Sequence, residues 1–277
     1  MSAAFTIAGQ EIRMGIRNRW VLAISSLMAV LALAISMLGS APTGLLDVDA
    51  LTLSTVSLSS LSIFLVPLIA LLLSYDALVG EVDQGTMLLL LSYPLSRRDV
   101  VVGKFIGQVS IISFATIFGY GLSGVMTALS GDVMPPDHAW WALGVMVLSS
   151  IVLGAIFIAL GLMCSAIAKN RGVAAGAVVA LWLFFVIIFD LLLLGSLVSG
   201  FDEMLSAEAF SSFLLANPTD IFRMINMGGI SGSGLVGGMA EVSAGATLSS
   251  TLLWCSLLVW CVVPLLFGAF MFKRRDI

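Results

Sequence analysis

The run VAAGAVVALWLFFVIIFDLLLLGSLV occupies residues 173–198, and Asp190 is its only charged residue. A helix needs about 20 predominantly apolar residues to cross the hydrocarbon core of a bilayer. The run is long enough, and its apolar residues do not alternate with polar ones, which favours a helix over a strand of a membrane barrel. The sequence therefore predicts an all-α polytopic membrane protein with six transmembrane helices, because five further runs share these properties: Trp20–Leu38, Leu58–Leu78, Phe105–Leu129, Trp140–Met163 and Ser249–Phe272.

The composition of the whole chain leads to the same class. Of the 277 residues, 60% are hydrophobic and 10% are charged, whereas a soluble domain carries roughly 25% charged residues. So little charge cannot cover a water-facing surface, and we expect residues 1–277 to form a single transmembrane domain. The three cysteines form no CxxC pair and lie in or beside apolar runs, which indicates packing rather than a disulfide or a metal site: Cys164, Cys255 and Cys261.

The lysine and arginine residues are distributed unevenly among the connections. Eleven of the twelve precede the first run, follow the sixth, or lie in the second and fourth connections, and only Arg223 lies elsewhere. Because basic residues are retained on the cytoplasmic side, we predict that both termini are cytoplasmic. The eleven residues are Arg13, Arg17, Arg19, Arg97, Arg98, Lys104, Lys169, Arg171, Lys273, Arg274 and Arg275.

Residues 1–19 are predicted to form an interfacial helix. Phe5, Ala8, Ile12 and Ile16 recur at spacings of three and four, which places them on one helical face. A helix with such a face lies in the plane of the membrane interface. The alternative is a frayed cytoplasmic tail.

The fifth connection, residues 199–248, is predicted to be a long loop on the outer side of the membrane, which the block of basic residues leaves opposite the cytoplasm. We predict that a helix begins within it, with Asn217 as N-cap, Pro218 in the first turn and Asp220 near the positive end of the helix dipole. A flexible arm rich in glycine and serine follows at Gly228–Gly238.

Asp190 is the candidate for a residue of the translocation path. A carboxyl group inside a membrane helix costs about 2.5–3.5 kcal/mol on insertion scales, which makes a functional role the default hypothesis. Two alternatives are a neutral carboxyl group bonded to a neighbouring helix and a carboxylate that reaches water at the outer surface.

Indications of catalysis or metal binding are weak. Residues 121–124 read GLSG, like a nucleophilic serine segment, but the only histidine, His138, lies beyond that run. Close helix packing by small residues is therefore the better interpretation. We predict no catalytic residue and no metal site, although copper(I) ligation stays open for the methionines of the outer loop: Met204, Met224, Met227 and Met239.

The second connection, residues 80–104, contains the most specific segment, EVDQGTMLLLLSYPLSR at 81–97. Thr86 is expected to cap a short helix, and Pro94 prevents its continuation. The leucines 88–91 would be an aggregation hazard in water, so this helix is expected to have a protein partner.

The segment resembles the signature E-x-x-x-G-T-x-x-x-L-L-S-x-P-x-S-R of ABC-2 type permeases, the membrane subunits of one class of ATP-binding-cassette transporter. The resemblance implies a homodimeric permease whose short cytoplasmic helix docks on a separate ATPase subunit. ATP and magnesium would belong to that ATPase, and this chain would carry no cofactor. The resemblance assigns the ATPase contact to Glu81, Gly85, Thr86, Leu89, Leu90, Pro94, Ser96 and Arg97. A second cytoplasmic contact is expected across Ser165–Arg171, with Lys169 and Arg171 as its basic residues.

Three stretches are similar to the ABC-2 permeases that serve maturation of the copper sites of nitrous-oxide reductase. They are RNRWVLA at 17–23, SYDALVGE at 74–81 and NPTDIFR at 217–223. This similarity implies a location in the inner membrane of a bacterium, a periplasmic partner protein and a sulfur species as cargo. The residues expected to contact the periplasmic partner are Asn217, Asp220 and Arg223. The predicted partners also include membrane lipid but no nucleic acid. The alternatives are an exporter of hydrophobic or antibiotic molecules, an intramembrane enzyme and a passive membrane anchor.

Overall fold

A computed structural model describes residues 3–17, 19–39, 49–93, 95–130, 134–198, 213–227 and 248–275. Regular structure in these ranges is helical, which confirms the all-α fold class. The helices are α1 (Ala3–Arg17), α2 (Trp20–Gly39), α3 (Ala50–Ser74), α4 (Val79–Asp83), α5 (Thr86–Leu91), α6 (Arg97–Ser130), α7 (Asp137–Ile167), α8 (Arg171–Leu183), α9 (Phe189–Val198), α10 (Pro218–Met227) and α11 (Ser250–Arg274). A π-helical turn, Phe184–Ile188, joins α8 to α9.

Five stretches of the described residues are long and apolar enough to cross a membrane: Ala50–Asp83, Arg97–Ser130, Asp137–Ile167, Arg171–Gly195 and Ser250–Arg274. The remaining predicted span is α2, a helix of 20 residues whose described apolar part is Ala23–Ala34. The polytopic architecture predicted from the apolar runs is thus confirmed.

The helix α7 lies at the centre of the bundle, between α3 and α11. Small residues allow these helices to approach closely. A Cβ atom at Gly161 would lie 1.9 Å from Ser74 Oγ on α3, and one at Gly268 of α11 would lie 3.0 Å from the Cα of Met163. Membrane helices gain their association energy from such close packing, because lipid tails are as apolar as the side chains.

The helix α1 packs against α6 with a face for which the sequence predicted no protein contact. It buries Ala4, Ile7 and Ala8, whereas Phe5 and Ile16 are exposed. The reason lies on α6, where Gly103 and Gly107 have no side chain: a Cβ at Gly103 would lie 2.7 Å from the carbonyl oxygen of Ala4. Only Ala8 of the predicted apolar face is therefore buried within the protein. The location of α1 at the membrane interface stays a prediction.

The connections that carry most of the basic residues meet at one end of the bundle, which we call the basic end. It contains α4, α5, the first turns of α6 and the last turn of α11. The opposite end contains the start of α3 and of α7, where His138 Nε2 lies 3.9 Å from Asp49 Oδ2.

Candidate functional site

The short helix α5 at the basic end begins after a glycine with positive φ. Gly85 is the N-cap and has a φ of 73°, a conformation that glycine adopts without steric cost. The prediction that Thr86 caps this helix is wrong, because Thr86 is its first residue. The Thr86 hydroxyl instead donates a hydrogen bond to the carbonyl oxygen of Glu81 at 3.2 Å. The two residues therefore hold α4 and α5 in a tight turn.

The leucines of α5 differ in their exposure. Leu88 and Leu89 are 58% and 70% exposed, whereas the preceding Met87 is fully buried. The predicted exposure is thus confirmed for these two leucines and is wrong for Leu90 and Leu91, which are partly buried against the core. A cavity of about 600 Å³ opens between α1 and α5 beside Leu89. Pro94, the predicted stop of the helix, lies outside the described residues.

Lys104 of α6 joins three elements at the basic end. Its Nζ atom lies 2.5 Å from Glu11 Oε1 on α1 and 2.7 Å from Glu81 Oε1 on α4. The Lys104 side chain is only 3% exposed, against 13% for Glu11 and 27% for Glu81. A buried ammonium group with two carboxylates is satisfied only while α1 and α4 keep their positions. Glu81 therefore has a structural partner in addition to its expected role in ATPase contact.

The fourth connection is bonded to the second connection by Ser165 and Arg171. Ser165 Oγ accepts hydrogen bonds from the backbone N–H groups of residues 78 and 79, both at 3.0 Å. Arg171 Nη2 donates to the carbonyl oxygen of Gly80 at 3.0 Å, and Arg171 Nε lies 3.1 Å from Asp76 Oδ1. The structure thus brings Arg171 to the predicted coupling segment, and its contact with an ATPase stays a prediction. Lys169 is exposed beside it.

The end of the coupling segment is attached to α11. Ser96 N and Oγ donate to Asp99 Oδ2 at 3.1 and 2.6 Å, and this pair caps α6. Arg97 Nη1 donates to the carbonyl oxygens of Phe272, at 3.1 Å, and of Arg275. The Phe272 carbonyl also accepts from the backbone N–H of Arg275 at 3.4 Å, and Arg97 adds a side-chain donor where the last carbonyls of a helix lack intrahelical partners. Its predicted contact with an ATPase stays a prediction.

Three charged side chains form a cluster between α9 and α10. Arg223 Nη2 lies 2.7 Å from Asp190 Oδ2, and Arg223 Nη1 lies 2.5 Å from Asp220 Oδ1. Arg223 and Asp220 are buried, whereas Asp190 keeps partial exposure. Burial raises the pKa of Asp220 to about 7, a rise that Arg223 opposes and Asp190 reinforces. Asp190 is thus paired with Arg223 of a neighbouring helix, and its role in the translocation path stays a prediction.

The π-helical turn in the fifth span provides the anchor for α10. In a π-turn the hydrogen bonds shift register, and the carbonyl oxygen of Phe185 accepts from Asn217 Nδ2 at 2.9 Å and from Thr219 Oγ1 at 3.2 Å. Asn217 Oδ1 accepts from the backbone N–H of Thr219 at 3.0 Å, which confirms the predicted N-cap. The helix α10 is therefore bonded to the fifth span at two points, the carbonyl oxygen of Phe185 and the carboxyl group of Asp190.

The residues assigned to the periplasmic partner are buried within the chain. Asn217 and Asp220 are fully buried and Arg223 nearly so. These side chains hold α10 in place, and a partner would meet the surface that they support. The flexible arm Gly228–Gly238 and the methionines 204 and 239 lie outside the described residues, and Met224 is buried.

The remaining sequence candidates have ordinary structural surroundings. Ser123 Oγ donates to the carbonyl oxygen of Ala32 at 3.1 Å, and a Cβ at Gly124 would lie 2.4 Å from Leu143 Cδ2. Both observations support the packing interpretation of the GLSG segment. Within the described residues, no group of three or more histidine, cysteine, aspartate or glutamate side chains is arranged to hold a metal ion.

Sequence reasoning missed Glu11 and Thr219, and it gave Lys104 no partner. It placed Ser165 in the second cytoplasmic contact but did not predict its hydrogen bonds to residues 78 and 79. The partners of Lys104 are 93 and 23 positions away in the chain. Lys104 itself indicated that an acidic partner exists, because a buried lysine at the edge of an apolar run requires a counter-charge.

Similarity to known proteins assigns the chain to a family. The family model described as ABC-2 family transporter protein matches residues 5–277. The chain belongs to the ABC-2 transporter family. The resemblance seen in the segment 81–97 is thereby confirmed, and the protein is a transmembrane permease subunit of an ATP-binding-cassette transporter, not itself an enzyme. Membership of this family implies an ATPase partner.

Two relatives align with the permease along its whole length. It is 41% identical over 275 residues to the probable ABC transporter permease protein NosY of Stutzerimonas stutzeri, with 99% of each chain covered. It is 39% identical over 277 residues to the probable ABC transporter permease protein NosY of Pseudomonas aeruginosa, with 100% of each chain covered.

Proposed function

We propose that this permease docks a separate ATPase through α5 and the fourth connection, and that it serves maturation of the copper sites of nitrous-oxide reductase. ATP and magnesium would be bound by the ATPase, a NosF-like subunit. The permease would act as a homodimer in the bacterial inner membrane, with both termini in the cytoplasm. The single observation that carries the coupling proposal is the exposure of Leu88 and Leu89 on a segment fixed to the rest of the bundle.

The hydrogen bonds and ion pairs between helices at the basic end support transmission of movement from α5 to the membrane-spanning helices. A force on α5 reaches α4 through the turn at Gly85. From α4 it reaches α1 and α6 through Lys104, and α8 through Arg171. Because the Lys104 ion pairs are largely buried and the fourth connection adds further bonds through Arg171, the segment would move as part of the bundle and not as a loose loop. This arrangement suits a coupling element better than a passive membrane anchor.

On the outer side, the proposed working elements are α10 and Asp190. Asp190 belongs to the fifth span and reaches Arg223 in α10, so a change in the fifth span would move α10 with it. We propose that Asp190 borders the translocation path and that the surface held by Asn217, Asp220 and Arg223 meets a NosD-like periplasmic protein. The cargo would be a sulfur species. The relatives' name and the three similar stretches in the sequence support this assignment.

The coupling proposal is tested by replacing Leu89 with aspartate. The charge would have to be desolvated on docking, so copurification of the ATPase with Leu89→Asp permease should be lost while the permease still inserts in the membrane. Met134→Asp is the matched control, because Met134 is 80% exposed at the opposite end of the bundle. Retention of the ATPase by Leu89→Asp permease would exclude α5 as the docking element.

The physiological proposal is tested by deleting the gene. The deletion strain should export folded nitrous-oxide reductase that lacks its copper–sulfide centre, and nitrous oxide should accumulate. Recovery of spectroscopically complete reductase from that strain would refute the assignment to this pathway and leave the coupling proposal unaffected.

A further inference from the structure

A basic cavity lies between the N-terminus of α6 and the C-terminus of α11. Its volume is about 610 Å³, and its described lining is Ser96, Arg97, Arg98 and Lys273. Three of these four residues are cationic. The nearest carboxylate in the sequence, Asp99, is bonded to the backbone N–H and the hydroxyl of Ser96.

Two of the three cations are available to a ligand. Arg97 donates to carbonyl oxygens at the end of α11. The side chains of Arg98 and Lys273 are exposed, and neither makes an ion pair with any part of the chain that the structure describes. The first N–H groups of α6, a helix of 34 residues, add partial positive charge at the same place. The cavity therefore favours an anion.

The surroundings of the cavity indicate that this anion belongs to a lipid. The last three turns of α11 expose Leu266, Phe267 and Phe270, which would face lipid tails in a membrane. Arg274 lies over the Phe270 ring, with its guanidinium carbon 4.2 Å from the ring centroid. An exposed apolar surface thus passes directly into a basic one, which is the boundary where phospholipid head groups lie. Basic pockets between membrane helices bind the head groups of anionic phospholipids.

We propose that this cavity binds the phosphate of an anionic phospholipid, with Arg98 and Lys273 as its cationic contacts. The acyl chains would lie along the exposed face of α11. This inference requires only that α11 crosses the membrane, and it does not depend on the proposed docking or on the physiological role.

The experiment is native mass spectrometry of the full-length permease in detergent. The protein is incubated with equal amounts of phosphatidylglycerol and phosphatidylcholine of identical acyl chains. The wild type should retain phosphatidylglycerol in preference to phosphatidylcholine. Replacing Arg98 and Lys273 together with glutamine should reduce this preference roughly 25-fold, about 5-fold for each cation near an anionic head group. Arg98→Lys combined with Lys273→Arg keeps both charges and should keep the preference.

The matched control is Arg13→Gln with Arg17→Gln, which removes two exposed charges from α1 at the same end of the bundle. This control should retain the preference. An equal loss in the control, or no preference in the wild type, would show unspecific attraction and overturn the proposal. Displacement of the lipid by excess inorganic phosphate would identify a site for soluble phosphate. A glutamine variant that keeps its lipid preference but loses the ATPase would assign the cavity to the ATPase. Either result would refute the lipid assignment.

Discussion

Replacement of Lys104 by methionine tests the junction at the basic end most directly. Methionine retains an unbranched apolar side chain that can fill the space beside α1, but it removes the ammonium group. Glu11 and Glu81 would then face each other without the cation that both now contact at 2.5 and 2.7 Å. Glu81 Oε2 is already buried without a hydrogen-bond partner in the described part of the chain. The variant should therefore loosen α1 and α4 together.

The magnitude follows from the exposure of the three groups. Removing one partner of a buried ion pair costs about 3–5 kcal/mol, because the other charge stays buried without compensation. The side chains of Glu11 and Glu81 are 13% and 27% exposed, so water can reach them in part. We therefore expect a loss near the lower limit, about 3 kcal/mol in the free energy of unfolding. Denaturant titration of the purified permease in detergent micelles measures this quantity.

A thermodynamic cycle separates loss of the ion pairs from loss of packing. If carboxylate repulsion causes the loss, Lys104→Met combined with Glu11→Gln and Glu81→Gln should recover part of the 3 kcal/mol, because the uncharged triplet needs no counter-charge. Lys169→Met provides the control, since Lys169 is exposed and its replacement should change stability by less than about 0.5 kcal/mol. A loss for Lys104→Met as small as that of the control, or no recovery in the triple variant, would refute the reasoning.

Three further outcomes are expected. Gly103→Leu should detach α1 from α6, because even a Cβ atom at this position would lie 2.7 Å from a backbone oxygen of α1. Limited proteolysis should then cleave α1. The control Gly9→Ala, where a Cβ atom has open space, should leave α1 protected. Asp190→Asn should destabilise the permease through the buried Arg223, and if reductase maturation by the intact complex is unchanged, Asp190 has a structural role only. For topology, single cysteines at the exposed Ser130 and Ser92 should differ in whole cells. An impermeant thiol reagent should label the first, and labelling of the second would reverse the predicted orientation.

The local pattern of the sequence was sufficient to predict much of this fold. The length of the apolar runs predicted the spans, since a bilayer of given thickness requires helices of given length. The N-cap at Asn217 and the exposed leucines of α5 were also predictable, because capping and exposure depend on neighbouring residues along one helix. The family signature at 81–97 carried the identification as a permease for the same reason, as it lies within a single connection.

Which helix faces which neighbour was decided only by the tertiary structure. In a soluble protein the polar face of a helix marks the outside, but a membrane helix is apolar toward lipid and toward protein alike. The sequence therefore did not reveal that Ala4 and Ile7, rather than Phe5, pack on α6. It also did not pair Lys104 with Glu11, or Arg223 with Asp190, since these partners are 93 and 33 residues apart. A charge in an apolar run signals that a partner must exist, and only packing in three dimensions selects it.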